Sequence, residues 1–244
     1  MSTYFWEEWK DKTKLEEKAI SSVEQALKTL FEHVNKEKIY SIYIKGSFPR
    51  REMNEKSDVD VIVITKNNET LREVKKLEES KGREYKPSEL IPHSLEELKE
   101  GKRHLSEEKP KGGVDGLIRE IHRYEIIYGS PVKPEEYKIR TDKEFLEAHI
   151  KAFNEVFIPL YREGKFGFQE IVKQIFFLTE KEVLLEGKEP PETWKELVES
   201  IKDKNHVVHD AYKHRAKPTK NEAEREKLIR KLEEHLEEDK KWMR

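Results

Sequence analysis

The chain has 244 residues, 34% hydrophobic and 41% charged, which is enough for one large domain or two small ones. Its 49 basic and 51 acidic residues give a net charge of -2, which excludes a strong overall field that would attract nucleic acid or an anionic membrane. The absence of cysteine excludes disulfides, thiolate metal sites and cysteine nucleophiles. No apolar run approaches the roughly 20 residues of a membrane-spanning helix, and the first residues lack the pattern of a signal peptide. We therefore expect a cytoplasmic protein with no membrane partner, and its abundance of lysine and glutamate is typical of thermophiles.

The first half of the chain alternates between helical and strand patterns. Apolar residues from Leu15 to Val34 recur every three or four positions, which indicates one face of an amphipathic helix. Two short runs rich in β-branched and aromatic residues indicate strands. In chain order, the pattern predicts a helix at 15–35, a strand at 39–45, a loop at 46–57, a strand at 59–65, a helix at 69–80, a strand at 84–93 and a helix that begins after Ser94.

After residue 100 a charged loop is followed by helical periodicity. Residues 100–113 predict a charged loop, and the apolar positions between 114 and 126 return to helical spacing. Beyond residue 136 the apolar spacing stays helical, with capping boxes at Thr141 and Thr193. We therefore expect a small mixed β-sheet domain at 1–135 and an all-helical bundle at 136–244, which together give the class α/β plus α.

Two acids, Asp58 and Asp60, precede and open the second predicted strand. Side chains two positions apart in a strand share a face, so both carboxylates are expected to point the same way. The following residues, 61–64, are apolar and predict a buried strand. Mg²⁺ is the species that usually makes two close carboxylates favourable. Taken alone, the pair favours an ordinary turn followed by an exposed residue at the strand end.

The loop before these acids carries groups that suit a phosphate. Gly46 and Ser47 follow the first strand directly, and Arg50 and Arg51 come shortly after. Glycine lets the backbone approach a phosphate, the serine hydroxyl bonds its oxygens, and arginine offers a fork of donors. Each feature alone fits an ordinary turn or a solvated surface pair, but their combination with the acids favours a functional site.

This combination resembles the signature of the DNA polymerase β-like nucleotidyltransferases, in which Gly-Ser and an arginine loop precede an Asp-x-Asp that begins a strand. Here the signature is Gly46–Arg51 followed by Ser57–Asp60, with Pro49-Arg50-Arg51 where the family often has Ala-Arg-Gly. The order of predicted elements extends the resemblance over roughly the first 130 residues.

The resemblance implies a function and a set of roles. It implies transfer of a nucleoside monophosphate, AMP from ATP or another nucleoside triphosphate, to a hydroxyl or phosphate acceptor, with release of pyrophosphate. Asp58 and Asp60 would hold two Mg²⁺ ions, or Mn²⁺, about 3.5–4 Å apart. Ser47 and the amides around Gly46 would bind the β and γ phosphates, and Arg50, with Arg51, would stabilise the leaving pyrophosphate.

A third carboxylate on the next strand is also implied. Glu89 falls where the family would place it and would complete the first metal site, with Glu84 as the alternative. The acceptor stays open between a small molecule, a protein side chain and an RNA end. An alternative reading is a nucleotide-binding or interaction module of the same fold with weak or no catalysis.

The helical half resembles the partner domain of kanamycin-type nucleotidyltransferases and the HEPN bundles, which implies a substrate-binding or partner-binding role. His206 and His209 suit a zinc site by their i, i+3 spacing, but the sequence favours a structural role, since no third ligand stands at metal spacing.

The terminal helix at 221–242 fits packing against its own core or against a second copy of the chain in a homo-oligomer, and the sequence favours the core.

Overall fold

The computed structural model of the protein describes residues 4–55, 57–103 and 114–242. The chain divides into two compact units, Met1–Ile139 and Arg140–Arg244. A small mixed sheet with helices forms the first unit, and the described part of the second is helical, so the predicted class of α/β plus α is confirmed. Most of the predicted charged loop, residues 104–113, lies outside the described residues. In the ranges given above, no helix is long and apolar enough to cross a membrane.

The first unit alternates helices with four strands in its described part. A short 3-10 turn at Phe5–Glu8 precedes the first helix. The elements are α1 (Lys14–His33), β1 (Ile39–Lys45), β2 (Val59–Thr65), α2 (Asn68–Lys81), β3 (Ser88–Ser94), α3 (Leu95–Glu100), α4 (Asp115–Glu120) and β4 (Glu125–Gly129). The predicted bounds of β1 and β2 are confirmed to the residue, and the predicted helices match α1 and α2 closely.

The four strands form one sheet in the order β3-β2-β1-β4. The strand β1 is antiparallel to both β2 and β4, whereas β2 and β3 are parallel. Alternate residues of β2 therefore face opposite sides. Val61 and Val63 pack in the core that includes α1, and Ile62 and Ile64 pack with residues of α4. The uniformly apolar run after Asp60 is thus explained by a strand buried on both faces.

Two strand predictions need correction. The third strand begins at Ser88 and not at residue 84, because Gly82–Tyr85 forms a 3-10 turn. The sequence also predicts helical spacing through Ile126, where the structure has the strand β4. Instead α4 ends at Glu120, and β4 pairs with β1. A strand of five residues is too short for its alternation to be recognised locally, so pairing with β1 decides its structure.

The second unit consists of helices and their connections, with no strand in residues 140–242. Its helices are α5 (Asp142–Ala152), α6 (Ile158–Arg162), α7 (Phe168–Leu185), α8 (Trp194–Ser200), α9 (Val207–Ala216) and α10 (Glu222–Trp242), with a π-helical turn at Phe153–Phe157 joining α5 to α6. The predicted capping boxes at Thr141 and Thr193 are both formed. Leu228, Leu232 and Leu236 of α10 are buried in the core of this unit, as the core alternative predicts.

Candidate active site

A row of charged side chains crosses one end of the sheet. Asp60 is the register partner of Lys45 on β1 and of Glu89 on β3. Directly paired residues of neighbouring strands share a face, so all three lie on the face that also carries Ile62. The ammonium nitrogen of Lys45 stands 3.8 Å from Oδ2 of Asp60. Lys45 was not identified from the sequence, because only the strand register reveals its proximity to Asp60.

Asp58 lies just outside this row. The strand begins at Val59, whose amide donates to the main-chain oxygen of Pro87 at 3.1 Å, and Asp58 is exposed in the loop before it. Asp58, Asp60 and Glu89 do not form a closed cluster. The one set of three carboxylate and imidazole ligand atoms within 4.8 Å of one another in the described part of the chain lies elsewhere. Binding of one cation by all three acids would therefore require rotation of their side chains.

Glu89 and Glu84 differ clearly in position. Glu89 is in β3 beside Asp60, with its side chain 46% exposed and its Oε2 3.7 Å from Nζ of Lys86. Glu84 lies before the strand, in the 3-10 turn, and its Oε1 is 3.9 Å from Nζ of Lys81. The register thus places Glu89, and not Glu84, next to Asp60.

The Gly46–Ser47 turn leaves β1 directly against Asp60. Gly46 has a φ of +92°, a conformation that residues with a side chain rarely adopt, and a Cβ built on it would stand 3.9 Å from Oδ2 of Asp60. The main-chain oxygen of Ser47 accepts a 2.9 Å hydrogen bond from the amide of Glu52. The turn is therefore closed by its own backbone, with glycine required for its dihedral angle.

Phe48 anchors the turn in the core. Its ring is fully buried and lies 5.2–5.8 Å, between centroids, from the rings of Phe5, Trp6 and Trp9. Such aromatic contacts add to the free energy of burial. The N-terminal segment before α1 therefore supports the loop that carries the candidate phosphate-binding groups.

The two arginines of the loop have different partners. Arg50 is exposed, and its Nε donates to Glu52 Oε2 at 2.9 Å. The guanidinium of Arg51 donates to both carboxylate oxygens of Glu16 on α1, at 2.6 and 3.0 Å, and to main-chain oxygens of Lys10 and Asp11. Its donors are committed to tethering the loop, so this geometry favours a structural role for Arg51 and leaves Arg50 as the arginine directed to solvent.

Tyr124 extends the charged row beyond β1. Its ring centroid is 5.7 Å from Nζ of Lys45, and its hydroxyl donates to Glu120 at 3.0 Å. Burial, the charge and hydrogen bond of Glu120, and the nearby charge of Asp60 all raise the pKa of Tyr124. The phenol thus stays protonated and remains a hydrogen-bond donor beside the acids. The residue lies outside the sequence motif and is found only through the fold.

The histidines of the helical unit do not pair as their spacing suggested. His206 Nε2 contacts Oε2 of Glu182 at 3.0 Å, and His235 Nε2 contacts Oε1 of the same carboxylate at 2.7 Å. His209 instead contacts the main-chain oxygen of Asp203. Burial opposes ionisation of Glu182, but the hydrogen bonds from the two histidines outweigh it and lower its pKa. The partner of His206 is thus a carboxylate 24 residues away, a separation that local spacing does not reveal.

Comparison with known proteins supports the assignment of the first unit. Residues 25–108, about a third of the chain, match the family model described as polymerase beta, nucleotidyltransferase. Residues 25–108 of the first unit are therefore similar to the polymerase β-type nucleotidyltransferases, in agreement with the resemblance of the sequence motif. The crystal structure of spectinomycin adenyltransferase AAD(9) from Enterococcus faecialis with ATP and spectinomycin is similar at 15% identity and a TM-score of 0.49, over 89% of this chain and 90% of that one. No curated protein was found to match the chain.

Proposed function

We propose that the nucleotidyltransferase domain in residues 25–108 transfers AMP from ATP to a hydroxyl or phosphate acceptor and releases pyrophosphate. The observation that carries the proposal is the position of the Gly46–Ser47 turn beside Asp60 at the start of β2, where a Cβ built on Gly46 would stand 3.9 Å from Oδ2 of Asp60. A phosphate-binding turn and a carboxylate at one point are what nucleotidyl transfer requires, because the triphosphate must be held and its charge neutralised beside the attacking oxygen.

The acids of this region suit a divalent cation. Asp58, Asp60 and Glu89 offer only carboxylate oxygens, which are the ligands that Mg²⁺ and Mn²⁺ prefer. Bound ions supply charge neutralisation to the triphosphate and activation to the acceptor oxygen. We assign Asp58 and Asp60 to two such ions, and Glu89 completes the set because its register position is adjacent to Asp60.

The remaining groups hold and orient the nucleotide. The side chain that Gly46 lacks leaves room for a phosphate to approach the backbone, and the hydroxyl of Ser47 donates to the phosphate oxygens. Arg50, on the exposed side of the loop, stabilises the negative charge that develops on pyrophosphate. Lys45 keeps the carboxylate of Asp60 oriented until the nucleotide binds.

The helical unit, Arg140–Arg244, is assigned to acceptor or partner binding. This assignment rests on the resemblance of its sequence to partner domains of kanamycin-type enzymes. The class of acceptor is found by offering ATP with small alcohols, aminoglycoside-like compounds, proteins and RNA ends, and by following which of them acquires label.

The test of the proposed function uses labelled ATP with Mg²⁺ or Mn²⁺ and measures pyrophosphate release and label transfer. We expect Asp58→Asn and Asp60→Asn each to abolish measurable turnover, because each removes a metal-binding charge. Both variants should keep the unfolding free energy of the wild type within about 1 kcal/mol, because Asp58 is exposed and the ion pair of Asp60 with Lys45 is partly exposed. Asp11→Asn is the matched control, because the described hydrogen bond of Asp11 involves its main-chain oxygen.

Three results would contradict the proposal. Wild-type turnover in Asp58→Asn or Asp60→Asn would show that the acids are not catalytic. Equal loss in Asp11→Asn would indicate a general effect of charge. Binding of ATP by the wild type without turnover across the whole acceptor panel would favour the alternative, a nucleotide-binding module.

A further inference from the structure

The core of the helical unit contains a cluster of four ionisable side chains from three helical elements. Glu182 is on α7, His206 is the N-cap residue of α9, and His235 and Asp239 lie one turn apart on α10. Their side chains are only 12–14% exposed. Positions i and i+4 of a helix lie on the same face, so His235 and Asp239 approach Glu182 together.

The ligand atoms of this cluster converge. One atom each of Glu182, His206 and His235 lies within 4.8 Å of the other two. The two histidine–carboxylate distances are 3.0 and 2.7 Å, and His235 Nε2 is 3.7 Å from Oδ2 of Asp239. Ligand atoms around a tetrahedral zinc ion are about 3.3 Å apart when the metal bonds are 2.0–2.1 Å. Shifts of about half an ångström would therefore admit an ion.

Asp239 adds a fourth buried ligand atom to this cluster. Its Oδ2 is buried and has no hydrogen-bond partner among the residues that the structure describes. Buried carboxylate oxygens are normally paired or coordinate a cation. With Glu182 nearby, the cluster holds two acids and two imidazoles, and a divalent cation would coordinate this buried oxygen, whose described contact is His235 Nε2 at 3.7 Å.

We propose that Glu182, His206, His235 and Asp239 form a closed binding site for a divalent transition-metal ion of the Zn²⁺ type. Two imidazole nitrogens and two carboxylate oxygens suit tetrahedral zinc, whereas Mg²⁺ prefers oxygen ligands alone. All four ligands come from the protein and are largely buried, which is typical of a structural ion rather than a catalytic one. The ion would connect α7, α9 and α10 and would act independently of the acids at 58 and 60.

The alternative is a cluster held by hydrogen bonds alone. The amide of Val208 donates to Nδ1 of His206 at 3.2 Å, which places the proton of the neutral ring on Nε2, facing Glu182. Metal binding at Nε2 moves this proton to Nδ1 and removes the cap of α9. Coordination by four ligands outweighs one capping hydrogen bond. The position of the proton on the His206 ring distinguishes the metal-bound cluster from the hydrogen-bonded one.

The experiment uses the full chain after chelation, with saturating Mg²⁺ present to occupy oxygen-only sites. Co²⁺ is titrated as a spectroscopic substitute for Zn²⁺, and the midpoint of thermal unfolding is measured with Zn²⁺. We expect one Co²⁺ per chain with the intense visible absorption of tetrahedral coordination, and a rise in the unfolding midpoint with Zn²⁺. Glu182→Gln and His235→Gln should weaken binding by about tenfold or more, while His209→Gln, a neighbouring histidine outside the cluster, should bind like the wild type.

Absence of tetrahedral Co²⁺ in the folded wild type would overturn the proposal and would favour the hydrogen-bonded cluster. Equal binding by His235→Gln and the wild type would overturn it as well, because the ion would then lie elsewhere. If a variant in the cluster fails to fold, Asp239→Asn provides the second test, since it alters only the ligand that lacks a hydrogen-bond partner. Unchanged affinity in Asp239→Asn would exclude it as the fourth ligand and contradict the proposed site.

Discussion

The ion pair between Glu16 and Arg51 provides a direct test of how the site loop is held. Glu16 is 5% exposed on α1, and both of its carboxylate oxygens accept hydrogen bonds from Arg51. Glu16 also forms a capping box with Thr13 at the start of α1. The substitution Glu16→Gln removes the charge while keeping a side chain that completes capping boxes, so it isolates the ion pair.

The expected loss of unfolding free energy in Glu16→Gln follows from the pKa of Glu16. The hydrogen bond from Arg51 is the largest influence on Glu16 and outweighs burial, so its pKa falls from 4.5 to about 2. At about 1.4 kcal/mol for each tenfold change in acidity, this corresponds to about 3 kcal/mol at full strength. Because the Arg51 side chain is 38% exposed, solvent screening reduces the expected loss in Glu16→Gln to roughly 1–2 kcal/mol at pH 7.

The stabilisation contributed by Glu16 should decrease as the pH falls. A carboxyl group with a lower pKa in the folded state stabilises the protein fully above its unfolded pKa, and it loses that contribution as pH falls through its folded pKa. The difference in unfolding free energy between wild type and Glu16→Gln should therefore be complete at pH 7 and decline between about pH 4.5 and pH 2.

The assay is urea unfolding at pH 7 and pH 3, with Glu17→Gln as the matched control. Glu17 is the adjacent, exposed residue of the same helix. Glu17→Gln should change the unfolding free energy by no more than about 0.5 kcal/mol. The reasoning is refuted if the two variants lose equal stability, or if the loss in Glu16→Gln is the same at both pH values.

Three further predictions concern the same loop. Phe48→Ala should lower the unfolding free energy by about 3–5 kcal/mol in urea unfolding, because a fully buried ring leaves a cavity, and a loss below 1 kcal/mol would contradict this packing. Gly46→Ala should lower the unfolding free energy by about 1–3 kcal/mol and reduce kcat, because a residue with a side chain is strained at a φ of +92°, although its Cβ would make only an ordinary contact with Asp60. Unchanged stability would show that the turn relaxes. Arg50→Ala should raise KM for ATP or lower kcat with no change in Tm, because its pair with Glu52 is exposed; a lower Tm with unchanged kinetics would indicate a structural residue.

Local sequence was sufficient wherever neighbouring residues determine the structure. The β-branched run of β2 predicted its bounds, since a strand buried on both faces is apolar along its whole length. Capping boxes at Thr141 and Thr193 are defined within four residues and were found where predicted. The same local information identified the Gly-Ser turn and the two acids that follow it.

The fold alone decided which distant residues meet. Glu89 became distinguishable from Glu84 only through the parallel register of β3 with β2. The tether of Arg51 joins residues 35 positions apart, and His235 reaches Glu182 across 53 positions. Sequence by itself therefore determined the elements and the motif, because periodicity and capping act between near neighbours. Tertiary structure decided the partners of each charge, because those depend on strand register and helix packing that no short segment encodes.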